Sequence, residues 1–280
     1  MMSNGQTDLL AKIAAILTQV KQKRPLVHHI TNYVTVNDCA NITLALGASP
    51  VMASDIAEVE EMVSHAAALV LNIGTLSSRA VAAMVAAGKK ANSLGVPVIF
   101  DPVGVGATAM RTAAAEQIIR EVRLAVIRGN MSEIKVLAGL NTGIKGVDSI
   151  ADEQGGVQAA QNLARQLGCT VAITGKTDIV VRGDDLCLIN NGHPLLTAVT
   201  GTGCMATSLI GCCCGATDDY FAGAAAGIAV MGIAGELAQR FLKPEDGIGT
   251  FRMRLFDAVF KMTPAIIHEY GRIEYYGRER

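Results

Sequence analysis

Short apolar runs alternate with helical segments along the chain as far as Thr174. Strands are predicted at 26–30, 69–73, 96–100, 124–127 and 169–173. Helices are predicted between them, at 9–20, 36–46, 54–65, 77–94, 108–122, 131–140 and 153–167, with Ser54 as an N-cap. The uninterrupted aliphatic runs are typical of strands that are buried on both faces. The alternation therefore predicts an α/β fold with a mostly parallel central sheet and helices on both faces.

The pattern changes after Thr174. The segments 179–182 and 186–189 predict a β-hairpin, and helices follow at about 202–214, 218–241 and 247–268. The C-terminal third is therefore predicted to be helical, apart from a basic tail at 272–280 that we expect to be a solvated end or a subunit contact. Since no linker or repeat divides the chain, we expect one domain over 1–280.

Charge and hydrophobicity exclude two classes of protein. The net charge of −1 leaves no basic footprint for nucleic acid, and a hydrophobic content of 50% excludes intrinsic disorder. Charged residues make up only 18% of the chain, against roughly 25% in an average soluble domain. A monomer would expose an unusually large apolar area, so the composition predicts a homo-oligomer.

The cysteines and the N-terminus indicate a cytoplasmic protein. There are seven cysteines, an odd number without the spacing of a disulfide framework or a zinc site. The first residues lack the basic and apolar regions of a signal peptide. The uncharged stretch 194–217 is too rich in glycine and threonine for a spanning helix. We therefore expect reduced thiols and no membrane attachment.

Ligands of a parallel sheet bind where the carboxyl ends of the strands meet. Four segments are expected there, at 101–106, 128–133, 174–176 and 200–204. Asp101 and Glu133 could together hold Mg²⁺, which takes few protein ligands and keeps several waters. Alternatively, Asp101 caps a turn through Pro102, and Glu133 merely occupies the first turn of a helix.

The segment Gly201-Thr-Gly203 precedes a predicted helix, where backbone N–H groups and the helix dipole favour an anion. Cys204 lies in the first turn of that helix, a position that predicts a lowered thiol pKa. The alternatives are an ordinary tight turn and a small buried cysteine. We assign that second role to Cys212, Cys213 and Cys214, because adjacent side chains diverge around a helix.

Five ordered segments together resemble the hydroxyethylthiazole kinase family, within the ribokinase-like superfamily. They are HHITNYVTVND at 28–38, GASPVM at 47–52, DPVG at 101–104, RGN at 128–130 with Glu133, and GTGC at 201–204. The resemblance covers about 25–240. It implies a ribokinase-like fold and the ATP-dependent phosphorylation of the primary alcohol of 4-methyl-5-(2-hydroxyethyl)thiazole in thiamine salvage. It also implies a homotrimer with active sites at the subunit interfaces.

The resemblance also implies roles for individual residues. The thiazole would be contacted by Met52 and Gly201, with Asn32 nearby. ATP would be contacted by Arg128 and Thr174. The Mg²⁺ ion and the phosphates would be organised by Asp101 and Glu133.

Cys204 stands where ribokinase-like enzymes typically have an aspartate base. Because phosphoryl transfer relies mainly on positioning and charge neutralisation, the thiol is expected near the attacking hydroxyl, as a base or as a positioning group, without being indispensable. Three alternatives remain open: an NAD(P)H-hydrate dehydratase on the same fold, a hydroxymethylpyrimidine kinase, and a ligand-binding sensor.

Overall fold

The structure is a computed structural model that describes residues 4–142 and 153–277. Its strands are β1 Leu26–Ile30, β2 Ser49–Met52, β3 Ala68–Asn72, β4 Val98–Asp101, β5 Val126–Asn130, β6 Thr170–Thr174, β7 Asp178–Arg182, β8 Asp185–Ile189 and β9 Ile273–Tyr276. They form one sheet of nine strands in the order β2-β1-β3-β4-β5-β6-β7-β8-β9. The strands from β2 to β6 in this order pair in parallel, and β7, β8 and β9 are added antiparallel.

Helices cover both faces of the sheet. They are α1 Asn4–Lys23, α2 Val36–Leu46, α3 Val59–Ser64, α4 Ser78–Leu94, α5 Ala109–Glu121, α6 Met131–Thr142, α7 Glu153–Leu167, α8 Thr202–Cys214, α9 Tyr220–Arg240, α10 Ile248–Phe260 and α11 Pro264–Tyr270, with a 3₁₀ turn at Pro194–Ala198. Helices α1, α2 and α8–α11 pack on one face, and α3–α7 pack on the other. The predicted mostly parallel α/β architecture is confirmed.

Strand β3 illustrates how one sequence serves both layers. Val70 faces the layer that contains α8 and α9, whereas Leu69 and Leu71 face the layer that contains α4. Successive side chains of a strand point to opposite faces. An uninterrupted apolar run therefore supplies two cores at once.

Helix α9 is buried around nearly its whole circumference. Among the described residues it is the one helix long and apolar enough to cross a membrane. Most of its surface packs instead against neighbouring elements, including α8, α10 and α1. A helix that is hydrophobic all round is expected in exactly such a core position, and this one belongs to the interior of the fold.

The predicted boundaries of two strands were wrong in a way that bears on the site. The strand predicted at 124–127 extends from Val126 to Asn130, so Arg128 lies inside a strand and not in a loop. Backbone pairing of Asn130 with Thr174 of β6 carries the strand past its apolar residues. The strand predicted at 96–100 begins at Val98 and ends on Asp101 itself.

Other predicted boundaries also need correction. Ser54 does not cap a helix, because a turn around Asp55 intervenes and α3 begins only at Val59. The helix predicted at 247–268 is two helices, since Pro264 opens α11 and Thr263 caps it.

Two edge strands were not predicted. Strand β2 pairs with β1, and β9 pairs with β8, so part of the tail at 272–280 is a strand instead of a solvated end. Residues 278–280 of that tail lie outside the described residues.

The contact between α8 and α9 yields a test of packing. A Cβ atom on Gly227 would lie 2.5 Å from the backbone nitrogen of Ile210, which cannot move aside. We expect Gly227→Ala to lower the free energy of unfolding by about 1–3 kcal/mol. Urea denaturation measures this loss.

Gly249 in α10 is the matched control, because a Cβ there meets no atom within 4 Å. Gly249→Ala should leave the protein as stable as before, or stabilise it by up to about 1 kcal/mol. Equal losses for the two variants would contradict the packing argument.

Candidate active site

Polar side chains meet at the carboxyl ends of the central parallel strands. The register pairs Asn72 of β3 with Asp101 of β4, and Asn130 of β5 with Thr174 of β6. Parallel strands end at the same edge of a sheet, which is where such folds bind ligands. The N-terminus of α8 reaches the same edge, because Thr207 in its second turn donates to Asp101.

Asp101 is the most enclosed group of this edge, with no exposed surface. Its Oδ2 accepts hydrogen bonds from Thr207 Oγ1 at 2.7 Å and from Asn72 Nδ2 at 3.0 Å. The guanidinium of Arg128 lies 3.5 Å from the same oxygen. Burial raises the pKa of the Asp101 carboxyl, and the charge of Arg128 opposes that rise. The carboxylate is thus held by three partners from three different elements.

Arg128 connects this carboxylate to the next strand. Its Nη2 donates to the hydroxyl of Thr174 at the end of β6. A Cβ atom on Gly203 would lie 2.6 Å from Nη1 of the arginine. The glycine at this position therefore leaves room for the guanidinium beside the first turn of α8. The structure brings the two predicted ATP-binding residues, Arg128 and Thr174, into direct contact.

Cys204 follows in the first turn of α8 and is partly exposed. Its sulfur accepts hydrogen bonds from Asn72 Nδ2 at 3.3 Å and from Asn32 Nδ2 at 3.4 Å. The predicted lowering of the thiol pKa was wrong. Burial and the negative charge of Asp101 raise the pKa of Cys204, and the two amide donors only partly offset them. The helix N-terminus does not outweigh burial together with a neighbouring carboxylate.

Asn32 and Gly201 meet through Thr35. The backbone nitrogen of Thr35 and its hydroxyl both donate to Asn32 Oδ1, each at 3.0 Å. Gly201 adopts φ +84°, in the left-handed region, and a Cβ on it would lie 2.5 Å from Thr35 Cγ2. Both conditions favour glycine at this position. Asn32, Gly201 and Cys204 therefore line one short stretch of the edge.

Glu133 contributes mainly through backbone hydrogen bonds. Its Oε1 accepts from the nitrogen of Gly104 at 2.8 Å, and its Oε2 accepts from the nitrogen of Asn130 at 2.7 Å. Asn130 Oδ1 in turn accepts from the nitrogen of Glu133 at 2.9 Å, which makes a reciprocal cap for α6. Glu133 thus joins the loop after β4 to the end of β5, and its negative charge raises the pKa of Asp101.

These carboxylates suit a cation that takes few protein ligands. Oδ1 of Asp101 is buried and has no hydrogen-bond partner among the described residues. No group of three metal-ligating side chains occurs in the described part of the chain. Mg²⁺ needs only one or two carboxylates beside water and phosphate oxygens, so the donor set fits it.

Met52 lies on the edge strand β2, which does not adjoin any of the strands that carry this cluster. It ends the edge strand β2, two strands away from β3, and is partly exposed. Its backbone pairs with His29 of β1 at the same carboxyl edge. Met52 therefore lies at the same carboxyl edge of the sheet, without joining the hydrogen-bonded network.

Two residues that touch Asp101, and one that supports the loops beside it, were not predicted from the sequence. Asn72 and Thr207 touch Asp101 directly. Arg111 donates to the carbonyl oxygens of Ile73, Gly74 and Val103, and so ties together the loops after β3 and β4. Only Asn72 had a visible signal, as a polar residue within an apolar run. The other two were hidden in ordinary helical patterns.

The family model "Hydroxyethylthiazole kinase family" matches residues 17–265, which is most of the chain. This chain belongs to the hydroxyethylthiazole kinase family. That assignment confirms the predicted family, and with it the predicted kinase activity, ATP-dependent phosphorylation of a thiazole alcohol in thiamine salvage. It also confirms the ribokinase-like fold class.

Individual relatives agree with the family model. A hydroxyethylthiazole kinase of Alkaliphilus oremlandii is 54% identical over 268 residues, covering 95% of this chain and 99% of the relative. The solved structure of a hydroxyethylthiazole kinase protein from Pyrococcus horikoshii superposes with a TM-score of 0.86 at 39% identity, covering 94% of this chain and 98% of that one.

More distant structures share the fold alone. An ADP/ATP-dependent NAD(P)H-hydrate dehydratase from Bacillus subtilis superposes with a TM-score of 0.58 at 13% identity, over 89% of this chain and 91% of that one. The dehydratase alternative from the sequence analysis therefore keeps a similarity of fold, whereas the kinase family matches in both sequence and fold.

A buried carboxyl beside the kinase cluster generates a pH prediction. Asp178 begins β7, and its Oδ1 accepts from the nitrogen of Gly175 at 2.8 Å. Burial raises its pKa to about 7, although the nearby charge of Arg128 lowers it. The folded protein therefore holds a proton here that the unfolded chain releases near pH 4. Stability consequently falls as the pH rises toward 7.

We expect Asp178→Asn to remove this loss, because the amide oxygen still accepts from Gly175 and never ionises. The variant should gain stability over the wild type at pH 8 and much less at pH 5, as measured by urea denaturation. The control is Asp184→Asn, which changes an exposed carboxylate in the β7–β8 turn. A gain of the same size for Asp178→Asn at both pH values would contradict the protonated state.

Proposed function

We propose that the γ-phosphoryl group of ATP passes to the primary alcohol of hydroxyethylthiazole at the carboxyl edge of β3–β6. The observation that supports this most strongly is the unbroken set of contacts from Cys204 through Asn72, Asp101 and Arg128 to Thr174. It joins the proposed alcohol end of the site to the proposed nucleotide end. A kinase needs both ends within reach of one phosphoryl group.

The two ends recognise different chemistry. Arg128 would hold phosphate oxygens through its planar fork, and the hydroxyl of Thr174 would donate to the nucleotide. Gly201 and Met52 would contact the thiazole ring, with the amide of Asn32 nearby. A partly exposed methionine and a bare glycine backbone suit a small heteroaromatic better than a polyhydroxylated sugar, which needs several side-chain partners.

Mg²⁺ would be held at Asp101 and Glu133, and when bound it supplies positive charge to the phosphates. Asp101 offers a buried oxygen without a protein partner, and the guanidinium of Arg128 limits the net negative charge at the site. Glu133 orients the loop after β4 through the nitrogen of Gly104. Both carboxylates are therefore held in fixed positions before substrate binds.

Cys204 would position the alcohol and would not act as a strong base. Because its pKa is raised by burial and by Asp101, the sulfur is a neutral thiol at pH 7. In the transfer, the alcohol oxygen forms a bond to the γ-phosphorus while the bond from that phosphorus to the oxygen bridging to ADP breaks. The alcohol proton passes to a phosphoryl oxygen and then to solvent, and ADP leaves with the bonding electron pair.

The first experiment is an ADP-release assay with Mg-ATP, with hydroxyethylthiazole and hydroxymethylpyrimidine offered separately. We expect release with the thiazole alone. Cys204→Ala should lower kcat by no more than about 100-fold, because a positioning group contributes less than a general base. Asp101→Asn should lower kcat by at least about 100-fold, because the charge that organises the phosphates is lost.

Melting temperatures of both variants serve as the folding control. Release with the pyrimidine alone would assign the chain to the pyrimidine kinase alternative. No ADP release with either substrate would favour the dehydratase or the sensor. Complete loss of turnover in a folded, substrate-binding Cys204→Ala variant would refute the positioning role.

We propose further that the kinase works as a homotrimer whose active sites lie at subunit interfaces. Exposed apolar residues occur on and before α2 and on α10, namely Tyr33, Val34, Leu44, Ile248 and Met253. The two helices pack together, and Arg252 pairs with Asp38 between them. Exposed apolar side chains on two helices that pack together are typical of a subunit interface. The first of them, Tyr33, directly follows Asn32, which supports an active site shared between subunits.

Leu44→Asp tests this interface, because it introduces a charge into the proposed contact. We expect sedimentation velocity to detect dissociation into monomers, with a parallel loss of kinase activity. Leu94→Asp, at the end of α4 on the opposite layer, is the matched control and should remain oligomeric. An unchanged oligomer in the Leu44→Asp variant would place the interface elsewhere.

We also propose that the chain is a single catalytic domain and that it is located in the cytoplasm. The continuous nine-stranded sheet supports a single catalytic domain over 1–280. The seven cysteines are all free thiols, which supports a reducing compartment such as the cytoplasm.

A further inference from the structure

Asn72 is the side chain on which the hydrogen bonds of the site converge. It is only 2% exposed. Its Nδ2 donates to Asp101 Oδ2 at 3.0 Å and to Cys204 Sγ at 3.3 Å. Its Oδ1 accepts from Asn32 Nδ2 and from the nitrogen of Gly74, each at 2.9 Å. A carboxamide has two donor hydrogens and two acceptor sites, so every one of them is used.

This set of partners fixes the orientation of the amide. A flipped Asn72 would turn its oxygen toward the carboxylate of Asp101 and its NH₂ group toward the donor of Gly74. Both contacts would then be repulsive. No other neutral side chain of this size both donates twice and accepts twice in a plane. The burial and the four partners therefore specify an asparagine with a single orientation.

The amides of Asn72 and Asn32 also determine how Cys204 is presented. Both donate to its sulfur, at 3.3 and 3.4 Å. Two donors from two different strand ends thus hold the sulfur, while Cys204 stays partly exposed. Asn72 donates at the same time to the carboxylate proposed to organise the phosphates.

We propose that Asn72 is a positioning residue, which aligns the thiol of Cys204 with the carboxylate of Asp101 so that the alcohol and the phosphoryl group meet. This inference rests on the proposed roles of Cys204 and Asp101. Asn72 touches neither substrate in this scheme. It acts by holding two groups from different elements, β4 and α8, at a fixed separation.

Other charged or titratable groups also face the thiol and must be kept constant in any test. They are Asp101 on β4, which itself pairs with Arg128 on β5, and Cys39 on α2. Burial and the charge of Asp101 raise the pKa of Cys204, and hydrogen bonds with Thr35 and the two amides lower it. Loss of the Asn72 amide is therefore expected to raise the pKa of Cys204 further.

The first test substitutes Asn72→Leu, which keeps the volume and removes every hydrogen bond of the side chain. We expect kcat to fall roughly tenfold to a hundredfold, with little change in the KM for Mg-ATP, because the reacting groups are misaligned and not lost. Alkylation of Cys204 by iodoacetamide, followed by mass spectrometry, should become about tenfold slower at neutral pH. Cys204 is the only one of the seven thiols that is not buried, so the reagent reports on it selectively.

Asn92→Leu is the matched control. Asn92 on α4 also bridges two backbone atoms, donating to the oxygen of Arg123 at 2.8 Å and accepting from its nitrogen at 2.7 Å. It lies in the opposite layer from α8, away from the site. We expect Asn92→Leu to change the melting temperature without changing kcat or the alkylation rate.

A second variant, Asn72→Ala, serves if Asn72→Leu does not fold, because it introduces no larger apolar group. It also removes the donors to Asp101 Oδ2 and to the sulfur of Cys204. We expect the same fall in kcat and the same slower alkylation of Cys204 as for Asn72→Leu.

The outcomes separate this inference from the proposed function. A folded Asn72 variant with wild-type kcat would overturn the positioning role, and so would an unchanged rate of Cys204 alkylation. If the wild type released no ADP with the thiazole, the proposed function would fail, while the alkylation rates would still decide whether Asn72 positions Cys204.

Discussion

A carboxylate with no exposed surface, Asp101, determines much of the arrangement around it. Removing a charge from water is costly unless the protein supplies compensating partners. Here the partners come from three places: Arg128 on β5, Thr207 on α8 and Asn72 on β3. Asp101 therefore connects its own strand, β4, with the neighbouring strands β3 and β5 and with helix α8. Any substrate bound at this edge meets groups whose positions have already been fixed by the need to solvate one buried charge.

The sequence was sufficient to predict the sheet, because the apolar runs mark buried strands and parallel strands end at one edge. Asp101, Arg128, Thr174 and Cys204 could be assigned to that edge on this basis alone. Their contacts could not be predicted, because they depend on register. The pairing of Asn130 with Thr174 is set by the register of β5 and β6, which cannot be read from the residue types.

The thiol of Cys204 shows a second kind of failure. Its place at a helix N-terminus predicted a lowered pKa, and the structure gives a raised one. The prediction considered only the local backbone, whereas the pKa is raised by burial in the folded protein and by the charge of Asp101, from a segment about a hundred residues earlier in the sequence. Asn72 was missed for a similar reason, since an asparagine at the end of an apolar run gains meaning only when its neighbours are known. Short-range rules predicted elements well and electrostatic environments poorly.

Helix α1 is bound to elements that come much later in the sequence. Gln6 in α1 donates to the carbonyl oxygen of Ile273 in β9, and Lys21 donates to that of Met262. Helix α1 also packs against α9 and α11. A chain that emerges from the ribosome N-terminus first therefore carries an apolar α1 surface without its native cover until α9, α11 and β9 have been made. Contacts of such high sequence separation slow folding. The newly made protein consequently has a long interval in which chaperones, or other copies of itself, can bind its first helix.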